Sequence, residues 1–246
     1  MLIPVAVAVF GVAGCGAVPT ESPAAKPPAP PADPAQFSAA RFDANVRVLV
    51  ELGARTPGSE ALARARQWAQ ANAAATQADA AIVLVAPLAT GPVDAAALAE
   101  ESSGLAFVLE AARALAARGE RVGVALPADE IAAAPPIAGA ALAIYVRRAC
   151  ALPQRRDLLS HRVLRERFFR AANLPKVSFE QVEAPHAALL AAGARRVVAL
   201  DAPAAAGSPC APVAFGEALV KFVSDATALL ARGRSNTAPL SASQGP

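Results

Sequence analysis

Four uninterrupted apolar runs constrain this chain more than any other feature. They are "AAIVLVAP" at 80–87, "VGVALP" at 122–127, "ALAIYV" at 141–146 and the "VVAL" at 197–200 inside "RRVVALD". Each has the length of a strand and lacks the polar alternation of a half-exposed one, so both of its faces must be covered. Segments with helical spacing lie between and around them. Ser59 is a good N-cap and Glu60 suits the first turn, with Leu62, Ala65, Trp68, Ala69 and Asn72 on one stripe. A second helix is expected from Ser103 to Gly119, burying Leu105, Val108, Leu109, Ala112, Leu115 and Ala116. A third is expected after Ser160, and a short one around His186. A last helix buries Leu219, Phe222, Val223, Ala226, Leu229 and Leu230. "KVSFEQV" at 176–182 alternates and reads as a further strand. Strands alternating with helices imply an α/β fold of three layers, αβα, around a mostly parallel, mixed central sheet.

The first residues, "MLIPVAVAVFGVAGC", form an apolar stretch too short to span a bilayer, ending in small residues suited to signal cleavage. Val12-Ala13-Gly14-Cys15 resembles a bacterial lipobox, which would make Cys15 the lipid-bearing first residue of the mature chain. An ordinary secretory signal is the other reading. Residues 16–36 carry 7 of the 22 prolines and read as an extended tether. Residues 233–246 read as a polar, disordered tail, which leaves 37–232 for the folded domain. These features place the domain in the cell envelope, facing the periplasm or the exterior, with a membrane as partner through the anchor. In that oxidising setting Cys150 and Cys210 either pair or remain separate thiols, since spacing alone sets no connectivity. A net charge of +3 and an aromatic content of 4% give no footprint for nucleic acid.

Motif order resembles the zinc-dependent aminopeptidases that include the glutaminyl-peptide cyclotransferases. Gly53-Ala54-Arg55-Thr56-Pro57-Gly58-Ser59 is similar to their opening Gly-Pro-Arg-x-x-Gly-Ser segment. "SSGLAFVLEAARALAARG" is similar to their Ser-Gly-x-x-x-x-x-Glu-x-Ala-Arg helix, "VALPADE" to a strand ending Asp-Gly-Glu-Glu, and "PHAALLAAGARRVVALDAP" to their Asp-His-x-Pro-Phe-Leu segment. The resemblance implies a zinc-aminopeptidase-like fold. It assigns the catalytic base to Asp129 and metal-ligand positions to Glu130 and Glu100, with His186 at a neighbouring histidine position. It also shows what is lost. The His-x-Asp pair falls on Pro87 and Ala89, the strand-end Asp on Val146, and the closing Trp-His-Thr segment has no counterpart. Too few residues separate the first helix from "AAIVLVAP" for the family's antiparallel strand pair, so an edge hairpin is expected to be missing.

A catalytic zinc needs three protein ligands, usually including histidine, and an open position for water. This chain has 2 histidines. His161 stands at the start of an arginine-rich segment and is expected to face solvent, and His186 reads as a hydrogen-bonded structural residue. Glu100 reads as part of a solvated "AEES" loop, and Asp129 with Glu130 as a water-facing remnant; an all-oxygen set of these three would suit calcium or magnesium better than zinc. Arg155, Arg156, Arg162, Arg165, Arg167 and Arg170 crowd one segment, as a solvated helix face or a patch for anionic lipid. The expectation is therefore a non-catalytic envelope lipoprotein that binds an unidentified envelope protein or peptide and needs no cofactor. An active zinc aminopeptidase or glutaminyl-peptide cyclotransferase with a non-standard site is the alternative, with zinc as its cofactor.

Overall fold

The computed structural model describes residues 33–73, 79–128, 137–151, 158–160, 186–204 and 208–235. Helices α1 (Ala39–Leu52) and α2 (Glu60–Asn72) precede strand β1 (Ile82–Val85). Helix α3 (Ala95–Ala117) connects β1 to β2 (Val122–Ala125), and β3 (Leu142–Ala149) follows. A three-residue β4 (Leu158–Ser160), helix α4 (His186–Ala191), β5 (Val197–Ala202) and helix α5 (Val213–Ser235) complete the described elements.

Among the described residues, the sheet has five strands in the order β2-β1-β3-β5-β4. The four apolar runs are its parallel strands, with Val83 opposite both Gly123 and Ala143, and Ile144 opposite Val198. β4 joins the edge antiparallel to β5, with Ser160 opposite Val198. The mostly parallel, mixed sheet is thus as the apolar runs imply. Nine residues, 73–81, separate α2 from β1, too few for the strand pair that the resemblance would place there.

Side chains alternate along the parallel strands into two cores. Ile82, Leu84, Ile144, Val146, Val198 and Leu200 face the layer made by α1, α2, α3 and α5. Val83, Val85, Ala143, Tyr145, Val197 and Ala199 face the opposite side, where Leu189 and Ala192 of the α4 segment pack. Phe107 of α3 stacks on Phe215 of α5 with ring centroids 4.4 Å apart and meets Phe37 at 5.1 Å. A chain poor in aromatics therefore gathers several of them at one junction.

Several local expectations need correction. α1 was not apparent in the sequence, because only Phe42 and Leu49 of its 14 residues are fully buried. α2 starts where its cap predicts, with the Ser59 side chain accepting from the Leu62 amide at 3.1 Å, but Asn72 is exposed. α3 begins at Ala95 rather than Ser103, because Asp94 caps it, accepting from the Ala97 amide at 2.8 Å. Ala116 is exposed, whereas all of 102–112 is buried, so α3 is a central helix covered nearly all round. β3 runs three residues past Val146. Ser160 ends a strand, and the helix expected after it, the "KVSFEQV" strand, His161 and the arginine-rich segment lie outside the described residues, as does Cys15.

Candidate functional site

The chain leaves β1 towards β2 on one side, while β3 lies on the other side of β1 and leads on to β5. The carboxyl ends of β1 and β3 therefore flank the point where the strand order reverses, where open α/β sheets form their ligand crevice. Three pieces meet there: the 86–94 loop after β1, the end of β3, and the first turns of α3.

The loop is held by one side chain. Arg55 is fully buried. Its Nε donates to the Leu88 carbonyl at 2.7 Å, one terminal nitrogen to the Leu49 carbonyl at 3.1 Å, and the other to Ser102 Oγ at 3.1 Å. Its backbone amide donates to Thr90 Oγ1 at 3.0 Å. Burial pushes the Arg55 guanidinium down to about 10, partly offset by the carboxylate of Glu101. Arg55 thus fixes both neighbours of Ala89, and the Arg-x-x-Gly-Ser segment acts here by positioning a loop. Pro87 and Ala89 within that loop are half-buried and bring no side-chain donor atom for a cation.

The Ser-Gly pair of α3 fixes the distance between helix and sheet. Ser103 Oγ donates to the Glu100 carbonyl at 2.6 Å and accepts from the Ala149 amide of β3 at 2.8 Å. A Cβ on Gly104 would overlap the Arg147 carbonyl oxygen, so only glycine fits. Further along the same helix, Glu110 accepts from the Ser38 amide at 2.8 Å and from Arg113, whose guanidinium also donates to the carbonyls of Pro34 and Gln36. Arg118 donates to the Ala35 carbonyl at 2.7 Å. Residues 34–36, counted with the tether in the sequence, are therefore pinned to α3. The whole Ser-Gly…Glu-x-Ala-Arg signature is accounted for by packing and anchoring.

With α3 drawn in this close, Glu100 and Glu101 of its second turn stand beside the end of β3. Glu100 is therefore helical, not part of a loop. Arg148 grips Asp201 of β5 in a bidentate pair, with two bonds of 2.7 Å. Its remaining terminal nitrogen lies 3.3 Å from Glu100 and 3.8 Å from Glu101. Arg147 lies 3.5 Å from Glu101. The bond to Asp201 outweighs burial and, with the neighbouring carboxylates, raises the Arg148 pKa further above its ordinary value. Val146, two residues earlier, is fully buried in the core facing α3.

Tyr145 points to the opposite face and is 9% exposed; burial is the main reason its phenol is pushed up to about 12. Cys150, directly after β3, is joined to Cys210 in a disulfide, and the Ala211 amide donates to the Cys150 carbonyl at 2.7 Å. The bridge ties the approach to α5 onto the end of β3. Asp129 and Glu130 lie outside the described residues; His186 opens α4, and its side chain is not among those described. Among the described residues, no three His, Cys, Asp or Glu side chains converge in a way that could hold a metal ion.

No protein-family model and no curated protein sequence matches the chain. Solved structures do. A leucine aminopeptidase precursor from Bacteroides thetaiotaomicron aligns with a TM-score of 0.57 at 12% identity, over 76% of this chain and 97% of that one. A Zn-dependent exopeptidase from Parabacteroides distasonis gives 0.54 at 12% identity, over 76% and 98%. Porphyromonas gingivalis glutaminyl cyclase gives 0.55 at 14% identity, over 77% and 99%. The fold is that of the zinc-dependent exopeptidases. At these identities the likeness is one of fold, and the zinc-exopeptidase architecture here carries its own side chains at the switch point. Sequence reading found Glu100 there but missed Arg148 and Asp201. An Arg-Arg pair closing an apolar strand was the one local signal, since a buried strand ending in two cations needs carboxylates nearby.

Proposed function

We propose that this chain is a non-catalytic, lipid-anchored envelope protein that uses a zinc-exopeptidase fold to bind a protein or peptide. The observation that carries the reading is the state of Glu100. In the resemblance it stands at a metal-bridging position, yet here its carboxylate is turned to Arg148. Pro87, Ala89 and Val146 add no donors beside it. Zinc takes three protein ligands in a catalytic site, and these positions supply none that is not already engaged. No step of peptide hydrolysis or cyclisation is therefore assigned to them.

The tether and Cys15 support the envelope placement through their sequence alone. Among the described residues, no helix is long and apolar enough to cross a membrane. Envelope attachment accordingly rests on the lipobox resemblance.

Zinc calorimetry on the metal-stripped full chain tests the reading. The expected result is no binding at micromolar zinc. Tight binding of one zinc per chain, abolished by Glu130→Ala, would overturn it. Asp129, Glu130, Glu100 and His186 would then be live residues of an aminopeptidase or glutaminyl cyclase, with Asp129 as base.

A further inference from the structure

We propose that residues 34–38 are a strap that mounts the folded domain by the amino-terminal edge of its sheet, which leaves the switch-point edge to be approached from the side away from the anchoring membrane. The inference deepens the reading above by naming the partner of that edge as a water-soluble protein or peptide rather than a lipid. It rests on that reading for the membrane alone. Helix α3 sets the geometry, because it runs from one edge of the sheet to the other. Its Ser103 accepts from the Ala149 amide at the carboxyl end of β3, and it ends at Ala117, just before β2 starts at Val122. Every side chain of α3 that grips residues 34–38 comes from its second half or the residue after it: Glu110, Arg113 and Arg118. From Gly104, the helical rise places Arg113 about 14 Å and Arg118 about 21 Å away from the switch point.

The strap is built as part of the fold. Three consecutive carbonyls, of Pro34, Ala35 and Gln36, accept from the guanidinium groups of Arg113 and Arg118. The amides of Ala35 and Gln36 donate to Asp33, and the Ser38 amide donates to the buried carboxylate of Glu110. Phe37 is buried between them, with its ring 5.1 Å from that of Phe107. A Cβ on Gly216 of α5 would overlap the Phe37 ring, so α5 leaves a notch for it. The strap is thus joined to two helices, whereas a terminal segment without such ties stays poorly ordered. A proline-rich spacer keeps its direction over several residues. When its last residues are clamped, that direction is set by the domain rather than by a swivelling joint.

The test couples the full chain through Cys15 to a maleimide lipid in phosphatidylcholine vesicles; Cys150 and Cys210 are joined to each other and do not compete. Chemical coupling makes the geometry independent of lipidation in the cell. A donor dye is attached through an azide-bearing residue in place of exposed Arg195, before β5, or of exposed Pro92, in the loop after β1. These positions are separated along the strands by roughly 13 Å or more. Energy transfer to an acceptor lipid should be stronger from position 195 than from position 92, a ratio above one. Amide exchange followed by mass spectrometry should show Gln36 and Ser38 protected along with α1. In Phe37→Ala that protection should be lost and the transfer ratio should fall towards one. If Phe37→Ala does not fold, Glu110→Gln combined with Arg113→Gln takes its place, since removing both charges leaves neither buried alone.

A wild-type ratio of one or below would overturn the proposal, whichever variant folds. So would exchange of Gln36 and Ser38 at the rate of an unfolded chain, or a folded variant that frees the strap and keeps the full ratio. Zinc binding by the wild type, lost in Glu130→Ala, would defeat the non-catalytic reading alone, because no residue of the strap belongs to that set. A Cys15 without lipid in cells would defeat the envelope anchoring alone and leave the mounting at the amino-terminal edge standing.

Discussion

Arg55→Met asks whether a buried guanidinium can hold a structure together. Methionine keeps the length and apolar stem of the side chain and deletes its charge and donors. Two terms oppose each other. Burial lowers the Arg55 pKa to about 10, which disfavours the charged form by about 3 kcal/mol; methionine escapes that cost. The guanidinium, however, makes three hydrogen bonds, to Leu88, Leu49 and Ser102. Hydrogen bonds from a charged donor contribute about 1.5–3 kcal/mol each, and their loss leaves acceptors buried without partners. The sum, roughly 4.5–9 kcal/mol, exceeds the desolvation cost, so a net loss of about 1.5–6 kcal/mol is expected. Urea unfolding of the two proteins measures it as a fall in midpoint with the slope unchanged. A variant as stable as the wild type, or more so, would refute the reasoning. It would mean that the protein behaves like those in which a buried charge is replaced by apolar bulk without loss.

Gly104→Ala should be destabilising by about 1–3 kcal/mol or more, because the new methyl meets backbone rather than a flexible side chain; a melting temperature equal to that of the wild type would contradict the close packing of α3 on β3. The single tyrosine allows a clean pH test. Tyrosinate absorbance should titrate at about 12 in the folded protein, well above its value in the unfolded chain. Because the folded value is raised, this group's contribution to stability is complete below about 10 and is lost as pH rises to about 12. Tyr145→Phe should flatten that part of the stability profile.

Much of the scaffold was legible in the sequence because the signals are local. A run such as Ile82–Val85 is apolar on both sides wherever it is placed, and it pairs as a covered strand. Ser59 caps α2 through an amide only three residues away. The misses have equally physical causes. The first eight residues of α3 carry no clear sequence signal because alanine-rich turns have little periodicity, while the decisive capping residue, Asp94, stands before them. α1 hides its helical character because it buries little more than Phe42 and Leu49.

The sequence by itself determined a parallel sheet between helical layers and apolar, donor-free side chains at Pro87, Ala89 and Val146, since an apolar side chain lacks a donor in any fold. Tertiary structure alone decided what gathers near them. Arg148 meets Glu100 and Asp201 across 48 and 53 residues of chain. That meeting depends on the register of β3 with β5, on Gly104 admitting the Arg147 carbonyl, and on Arg55 holding the loop beside it. Charges so far apart in sequence have no fixed partner until packing sets their distance, and electrostatic attraction depends on that distance and on the water excluded around it.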